Sequence, residues 1–550
     1  METQMRTILK YLMAGVVITS SLQLLCSCDK NFDPEIYGAF TLDKFPETKE
    51  DYVSAAMLCY LPFGSNNYNM GGAPGIAMYR NEGGVKHIFD TPTDLMAPMS
   101  VLSTGSNWLK ISKADWSDCR YYKRGSRFIN HMSKLSEVTR MTKIISIVEK
   151  APENVLDAAT KRQLLGEMHL CRGLAMYFVL HHYGPMPMIL DPSKVEDEKV
   201  LYDLRRPSLE TMAGWIKDDF EYAVANCLPA SEITENGRFH KDYARYCQIR
   251  HCLNEGAHMD GYYSRAIQLC EELMGEKNYA LFTTGANPYL DQFTSANEFN
   301  CEVIMAVHCT SNANDSGTAG NMNNIAKYTL PVDASHTPGD NPLFSPALYG
   351  WNQYYNVAPQ FYDTFEEGDL RREGIVTSYK ATNGMMRTPE TIGRTWDGYV
   401  LNKFRPEVAG EVQPMDIPVA RYADILLMYA EALTRRDNTV SDKAVDAVNQ
   451  VRRRAGLAGL KADATASVDV FLNAILDERG WELYFEGFRK IDLIRFNQYA
   501  RRTFRSKGYI PTGQYLPVPD YVVEMAAEHG VELVQTWSRD GWAEDLSAIN

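Results

Sequence analysis

Glu478 and Glu482 are the residues whose types and spacing first invite a chemical reading. With Phe471, Ile475, Phe485 and Arg489 they fall at helical intervals, on one stripe of a helix expected over 468–487. Paired carboxylates serve as general acid and base in glycoside hydrolysis, which gives the pair a catalytic reading. The competing reading is burial. A carboxylate on an apolar seam needs a cation, here Arg421, Arg452 or Arg489, because an unpaired buried charge is costly. The second reading is favoured, since these residues sit where helices meet. Glu167 and Arg172 are read in the same way.

Other chemistry finds little support. The 11 histidines include no His-Glu-x-x-His motif. His251 and His258 lie two helical turns apart, too far to share one ion without a third ligand. His181 and His182 are expected to be satisfied structurally. No Gly-rich phosphate loop follows a strand, and no Gly-x-Ser-x-Gly elbow occurs. The sequence calls for no metal and no cofactor.

The elements that must position these residues are mostly helical. Thr48-Lys49-Glu50-Asp51 reads as a capping box opening a helix to about Tyr60. Further helices are expected at about 117–138, 153–183, 208–227, 239–256, 260–274, 419–435, 440–455 and 468–487. Leu164, Met168, Cys171, Ala175 and Phe178 mark the apolar stripe of the third of these nine. Residues 61–118 and 283–415 lack sustained period, apart from a strand at Val303–Val307. Long irregular stretches of this kind commonly carry function. Small residues at helix contacts (Ala423, Ala430, Ala266, Cys270) give the helix pairs a tetratricopeptide-like character, without the full 34-residue signature. The expected fold is mostly α, a superhelical scaffold of helix pairs with long loop-rich insertions and minor β.

Composition agrees with a folded chain: 45% hydrophobic, 23% charged and 11% aromatic over 550 residues. With 37 Gly and 25 Pro the chain is neither collagenous nor of low complexity. A net charge of −14 argues against a nucleic-acid partner, since phosphates demand clustered Lys and Arg.

Residues 1–27 read as a signal peptide. Arg6 and Lys10 precede an apolar run from Tyr11 to Leu25, which is short for a membrane span. Leu25-Cys26-Ser27-Cys28 resembles a bacterial lipobox with Cys28 as the acylated residue, so lipid is the expected anchor. Residues 28–47 then form a tether. Of 11 cysteines, nine remain after Cys26 and Cys28. That number is odd and no Cys-x-x-Cys occurs, so neither a closed disulfide set nor a zinc knuckle is indicated. Cys171, Cys227 and Cys270 fit as small buried hydrophobes.

Five blocks carry a family resemblance. Gly166-Glu-Met-His-Leu-Cys-Arg-Gly-Leu-Ala-Met-Tyr-Phe-Val-Leu-His-His-Tyr-Gly-Pro-Met-Pro-Met-Ile189 is the first. Arg421-Tyr-Ala-Asp-Ile-Leu-Leu-Met-Tyr-Ala-Glu-Ala432 and Val448-Asn-Gln-Val-Arg-Arg-Arg-Ala-Gly456 follow. Glu478-Arg-Gly-Trp-Glu-Leu-Tyr-Phe-Glu-Gly-Phe-Arg-Lys-Ile-Asp-Leu-Ile-Arg495 and Tyr515-Leu-Pro-Val-Pro519 complete the order. Together they resemble the SusD/RagB family across nearly the whole chain after residue 27. The resemblance implies a surface lipoprotein of the outer membrane that captures nutrients, mostly glycans, and acts as a lid on a SusC-like TonB-dependent transporter. It implies one domain over 48–550, with scaffold at about 48–60, 117–282 and 416–500 and a ligand-binding lobe at about 61–116 and 283–415. One departure stands out: the usual Asn-Pro after Pro519 is absent, and Val522 to Trp542 takes its place.

A glycan receptor needs flat side chains to stack on sugar C–H faces and polar groups to bond hydroxyls. Two irregular stretches supply them. The first holds Tyr68, Tyr79, Arg80, Asn107 and Trp108; the second holds Tyr349, Trp351, Asn352, Tyr354 and Tyr355. Trp116 opens a helix and is read as structural. The expected function is capture of an oligosaccharide without catalysis. Oligopeptide capture, hydrolysis by Glu478 and Glu482, or a scaffold with no small ligand are the alternatives.

Overall fold

The computed structural model describes residues 46–66, 68–70, 73–98, 107–116, 131–309, 321–341, 355–392, 398–408, 410 and 412–549. Cys28 and the leader lie outside these residues. Thr48–Asn550 forms one compact unit, mostly helical with little strand.

Helix α1 (Lys49–Met57) opens where the sequence places it. The Thr48 hydroxyl accepts the Asp51 N–H at 3.2 Å, and the Asp51 carboxylate accepts the Thr48 N–H at 2.9 Å. This reciprocal cap satisfies two otherwise orphaned donors. The scaffold continues with α2 (Ser133–Glu149), α3 (Ala158–Tyr183), α4 (Leu209–Asn226), α5 (Lys241–Glu255) and α6 (Tyr262–Glu276). Each packs on the next, and α6 leads across to α7 (Tyr422–Asp437), which packs on α8 (Asp442–Arg454) and α9 (Val468–Leu483). α10 (Arg489–Arg495) follows a tight turn.

α3 is the central rod. The sequence suggests a single apolar stripe, but from Leu164 to Tyr183 every side chain except His169 is buried. A helix covered on all sides carries no polar face. Its glycines explain how neighbours come so close. A Cβ on Gly173 would stand 2.8 Å from the Phe220 ring on α4, and one on Gly166 would stand 2.7 Å from the Cys227 backbone. Arg172 seals the same contact through Asp219, with Nε–Oδ2 at 2.8 Å and Nη2–Oδ1 at 2.7 Å.

The strands are short. β1 (Val303–Val307) pairs antiparallel with β5 (Ile417–Arg421), placing Val303 opposite Arg421 with a bulge between. β4 (Tyr399–Leu401) sits between β2 (Asn356–Val357) and β3 (Ile375–Val376). Between these strands and the end of α9 lies an aromatic core that includes Tyr289, Phe293, Tyr355, Phe404 and Phe485.

α9 stops at Leu483, short of the expected 487. Phe485 and Gly487 both adopt left-handed backbone (φ 59° and 89°), which breaks the helix. Phe485 and Arg489 therefore leave the stripe on which the sequence put them. The C-terminal segment is also well packed. Arg539 forms a two-pronged ion pair with Glu255 at the end of α5 (2.7 and 2.8 Å), and its Nε donates to the Tyr515 hydroxyl. Trp537 packs across Gly184.

Gly184 caps α3 at φ 79°, and a Cβ there would stand 2.5 Å from Trp537. Gly184→Ala is expected to lose about 1–3 kcal/mol of stability by thermal or denaturant unfolding. Gly214→Ala in α4, where a Cβ meets nothing within 4 Å, is expected to gain about 0.5–1 kcal/mol.

Buried histidines make the fold acid-sensitive. Burial holds His87 and His182 at about 3 and His251 at about 4, with His131 and His181 well below their ordinary value. The unfolded chain takes up these protons near pH 6.5, so the histidines' contribution is full above that pH and falls as pH drops towards 4. Each such histidine contributes about 1.4 kcal/mol per pH unit. The buried carboxyls of Asp90 and Glu478, raised by desolvation, oppose them but are fewer. Urea midpoints should therefore fall steadily between pH 7 and pH 5, and less steeply in His251→Gln. A flat profile would contradict this account.

Candidate functional site

The carboxylate pair resolves into a buried ion network. Glu478 lies 2.6 Å from Arg371 and 3.2 Å from Arg452. Glu482 pairs with Arg421 at 2.9 Å, with Arg371 at 3.4 Å and closely with Arg454. Arg421 also reaches Glu302 (2.5 Å) and Glu486 (2.6 Å), while Lys403 holds the other side of Glu486 at 2.6 Å. Asp369 pairs with Arg371 at 2.8 Å. Five carboxylates (Glu302, Asp369, Glu478, Glu482, Glu486) thus meet five cations (Arg371, Lys403, Arg421, Arg452, Arg454), all buried.

Of the three arginines expected as partners, Arg421 and Arg452 take that role. Arg489 does not: the turn after α9 swings it to Asp94, at 2.9 and 2.7 Å. Arg371 and Arg454 are the partners that spacing could not reveal. Glu167 likewise pairs with Arg238 (2.8 Å) and accepts the Tyr60 hydroxyl at 2.7 Å.

Burial raises the Glu478 carboxyl, and Arg371 counters it. Burial also pushes Glu482 upward, but Arg454, Arg421 and Arg371 outweigh it and hold that carboxyl well below the usual range. Split acidities of this kind can mark an acid–base pair. Here both carboxylates are 0% exposed, and their oxygens face guanidinium groups rather than a cleft. A general acid must reach the proton it transfers. The pair is structural.

The loop candidates divide. Tyr79 is buried, with its hydroxyl 3.1 Å from that of Tyr243, so it faces the scaffold core. Tyr355 is 0% exposed and donates to the carbonyl of Asn81. Neither offers a ring face to solvent, which corrects their reading as loop platforms. Tyr68 lies on a short hairpin strand opposite Gly75, and Asn107 opens the helix Asn107–Ser112. Tyr349, Trp351, Asn352 and Tyr354 lie outside the described residues. Trp116 is buried, its indole N–H donating to the Gly513 carbonyl at 2.9 Å, as a structural role requires.

Trp108 and Arg80 come together. Trp108 sits half-buried on the helix Asn107–Ser112, stacked on His87 with centroids 3.9 Å apart and planes 21° apart. Tyr328 lies near-parallel to it at 6.3 Å, and Tyr355 leans in from the core at 5.6 Å. The Trp108 indole also bonds Glu82, which pairs with Arg80 at 3.3 Å. Burial, reinforced by Arg80, keeps His87 neutral, so the ring beneath the indole adds no charge to it.

Sequence reasoning did not single out His87, Glu82 or Tyr328. The signal available was Gly83-Gly84. Gly83 has φ 83°, and a Cβ on Gly84 would stand 2.2 Å from the Arg80 carbonyl. That turn folds Arg80 and Glu82 back over the helix Val85–Phe89 that carries His87. The result is a flat indole bordered by a carboxylate and a guanidinium. Such a surface can stack on an apolar ring face and bond hydroxyls at its rim. Among the described residues no group of three His, Cys, Asp or Glu side chains could hold a metal ion. His251 instead bonds the Ala213 carbonyl at 2.9 Å.

Glu478→Gln leaves Arg371 and Arg452 short of one buried negative charge. It is expected to lower stability by about 3–5 kcal/mol while leaving ligand affinity unchanged. Chemical unfolding alongside calorimetric titration checks both halves. A stable variant with weakened binding would return the pair to the functional site.

Comparison with known proteins completes the description. The sequence profile described as the SusD family matches residues 301–522. A SusD-like protein of Bacteroides ovatus is 24% identical over 386 residues, 66% of this chain and 64% of that protein. The chain thus spans less than two thirds of that relative. Among solved structures, surface glycan-binding protein A from Bacteroides fluxus superposes with a TM-score of 0.67 at 20% identity, covering 89% of this chain and 99% of that one. Surface glycan-binding protein A from Bacteroides thetaiotaomicron, in complex with laminarihexaose, gives 0.66 at 18% identity over 89% and 100%. Residues 301–522 are similar to the SusD family, and the chain as a whole has the fold of SusD superfamily structures.

Proposed function

We propose that this protein is a non-catalytic, cell-surface glycan receptor whose ligand stacks on Trp108. The observation that carries the reading is the indole held flat on neutral His87, with Arg80 and Glu82 at its rim. Two similarly folded proteins are named for surface glycan binding, one of them complexed with laminarihexaose, which supports the same ligand class here. Captured oligosaccharide would pass to a SusC-like TonB-dependent transporter, with the chain tethered to the outer membrane by lipid on Cys28. No helix of the described residues is long and apolar enough to cross a membrane, in keeping with a lipid anchor. Tyr349, Trp351, Asn352 and Tyr354 remain proposed ligand contacts, as do Tyr68 and Asn107.

Calorimetric titration with laminarihexaose, then with a panel of neutral oligosaccharides, tests the reading. Trp108→Ala is expected to weaken the tightest of these by about 1–3 kcal/mol, by analogy with base stacking on aromatic side chains. A melting curve on the same variant separates lost stacking from lost packing. Binding of peptides but no oligosaccharide would favour peptide capture; unaltered affinity in Trp108→Ala would remove Trp108 from the site.

A further inference from the structure

A second cleft, lined by none of the residues proposed above, opens beside the end of α9. It has a volume of about 190 Å³ and is bordered by Gln360, Thr364, Asp477, Trp481, Arg502 and Arg505 among others. We propose that this cleft binds a small carboxylate carried on an apolar-faced ring, of which a uronic acid is the simplest case.

The aromatic floor is built rather than incidental. Trp481 packs against the aromatic core, and its indole N–H donates to the Thr364 hydroxyl at 2.9 Å. Thr364 in turn donates to the Phe361 carbonyl at 2.6 Å, which fixes the hydroxyl's direction. The ring is thereby held at one angle to the cleft. A fixed indole gives stacking area with little entropy left to lose.

The charges select the ligand. Asp94 is spent on Arg489, through contacts of 2.9 and 2.7 Å, and Asp477 is spent on Arg502. Arg502 also donates to Gln498 at 2.8 Å. Arg505 is exposed and has neither a hydrogen-bond nor an ion-pair partner among the described residues. The cleft therefore carries one uncompensated positive charge, on a chain whose net charge is −14. A guanidinium in that setting offers a planar fork matched to a carboxylate. The exposed Gln360 amide provides both a donor and an acceptor for ring hydroxyls. Indole, fork and amide around one small cleft suit a sugar acid better than a neutral sugar or a bare anion.

Calorimetric titration of the full chain in detergent with sodium glucuronate, glucose and sodium acetate is the test. Glucuronate is expected to bind at least about tenfold tighter than either of the others, as a charge-assisted contact implies. The preference over glucose should shrink as salt rises. Arg505→Gln, at an exposed position, should fold normally and abolish that preference. Trp481→Phe should weaken glucuronate while leaving acetate unchanged. Equal binding of glucuronate and glucose, or a preference that survives Arg505→Gln, overturns the proposal. Acetate binding as tightly as glucuronate overturns it too, leaving only a nonspecific anion contact. Trp108→Ala distinguishes the two sites. If it abolishes the glucuronate response, binding belongs at Trp108 and this proposal falls. If neutral oligosaccharides fail to bind while the Arg505-dependent response persists, the Trp108 reading falls and this one stands.

Discussion

The structure depends on a charge balance achieved without water. Five carboxylates and five cations are buried where β1, β5, α8, α9 and the 369–371 turn converge. Removing any one ion from water is costly by several kcal/mol, and only close, multiply bonded partners offset that cost. Every element in the network is thereby tied to every other. Arg421 illustrates the constraint: it ends β5, starts α7, and touches Glu302, Glu482 and Glu486 at once. The aromatic core between strands and helices can form only where this cluster lets the segments meet.

Close packing of α3 is the second requirement. Glycine at 166 and 173 lets α4 and the chain after it lie against the helix backbone, and Gly184 turns the chain where Trp537 must fit. The C-terminal segment closes on the last of these anchors. Trp537 covers the end of α3 and Arg539 neutralises Glu255.

Much of the scaffold was legible beforehand because helical period and caps are local properties. The Thr48 cap, the strand at Val303–Val307 and helices α3 to α9 follow from neighbours in sequence, whereas α2 runs Ser133–Glu149, well past the end expected at 138. The break after Leu483 was not, since left-handed backbone at Phe485 follows from tertiary packing rather than from the residue type. The ion partners were half legible for a related reason. Arg421 and Arg452 lie in conspicuous blocks, whereas Arg371 sits in an irregular region and meets Glu478 only through the fold. The candidate ligand face was the hardest part. Composition marks aromatics in irregular stretches, but cannot say that Tyr79 and Tyr355 turn inward while Trp108 stays half-buried.

The order of synthesis gives the buried ions a further consequence. Glu302 is made 119 residues before Arg421 and 152 before Arg454, its two ion partners. At ribosomal rates of roughly 5–20 residues per second, its partners arrive on the order of ten seconds later. Until they do, Glu302 must stay hydrated, so the core around it cannot close before Arg421 and Arg454 are made. The contact of α3 with α4, whose own ion pair Arg172–Asp219 lies close in sequence, faces no such delay. The fold is therefore locked from its last third backwards, with the final helices acting as the keystone.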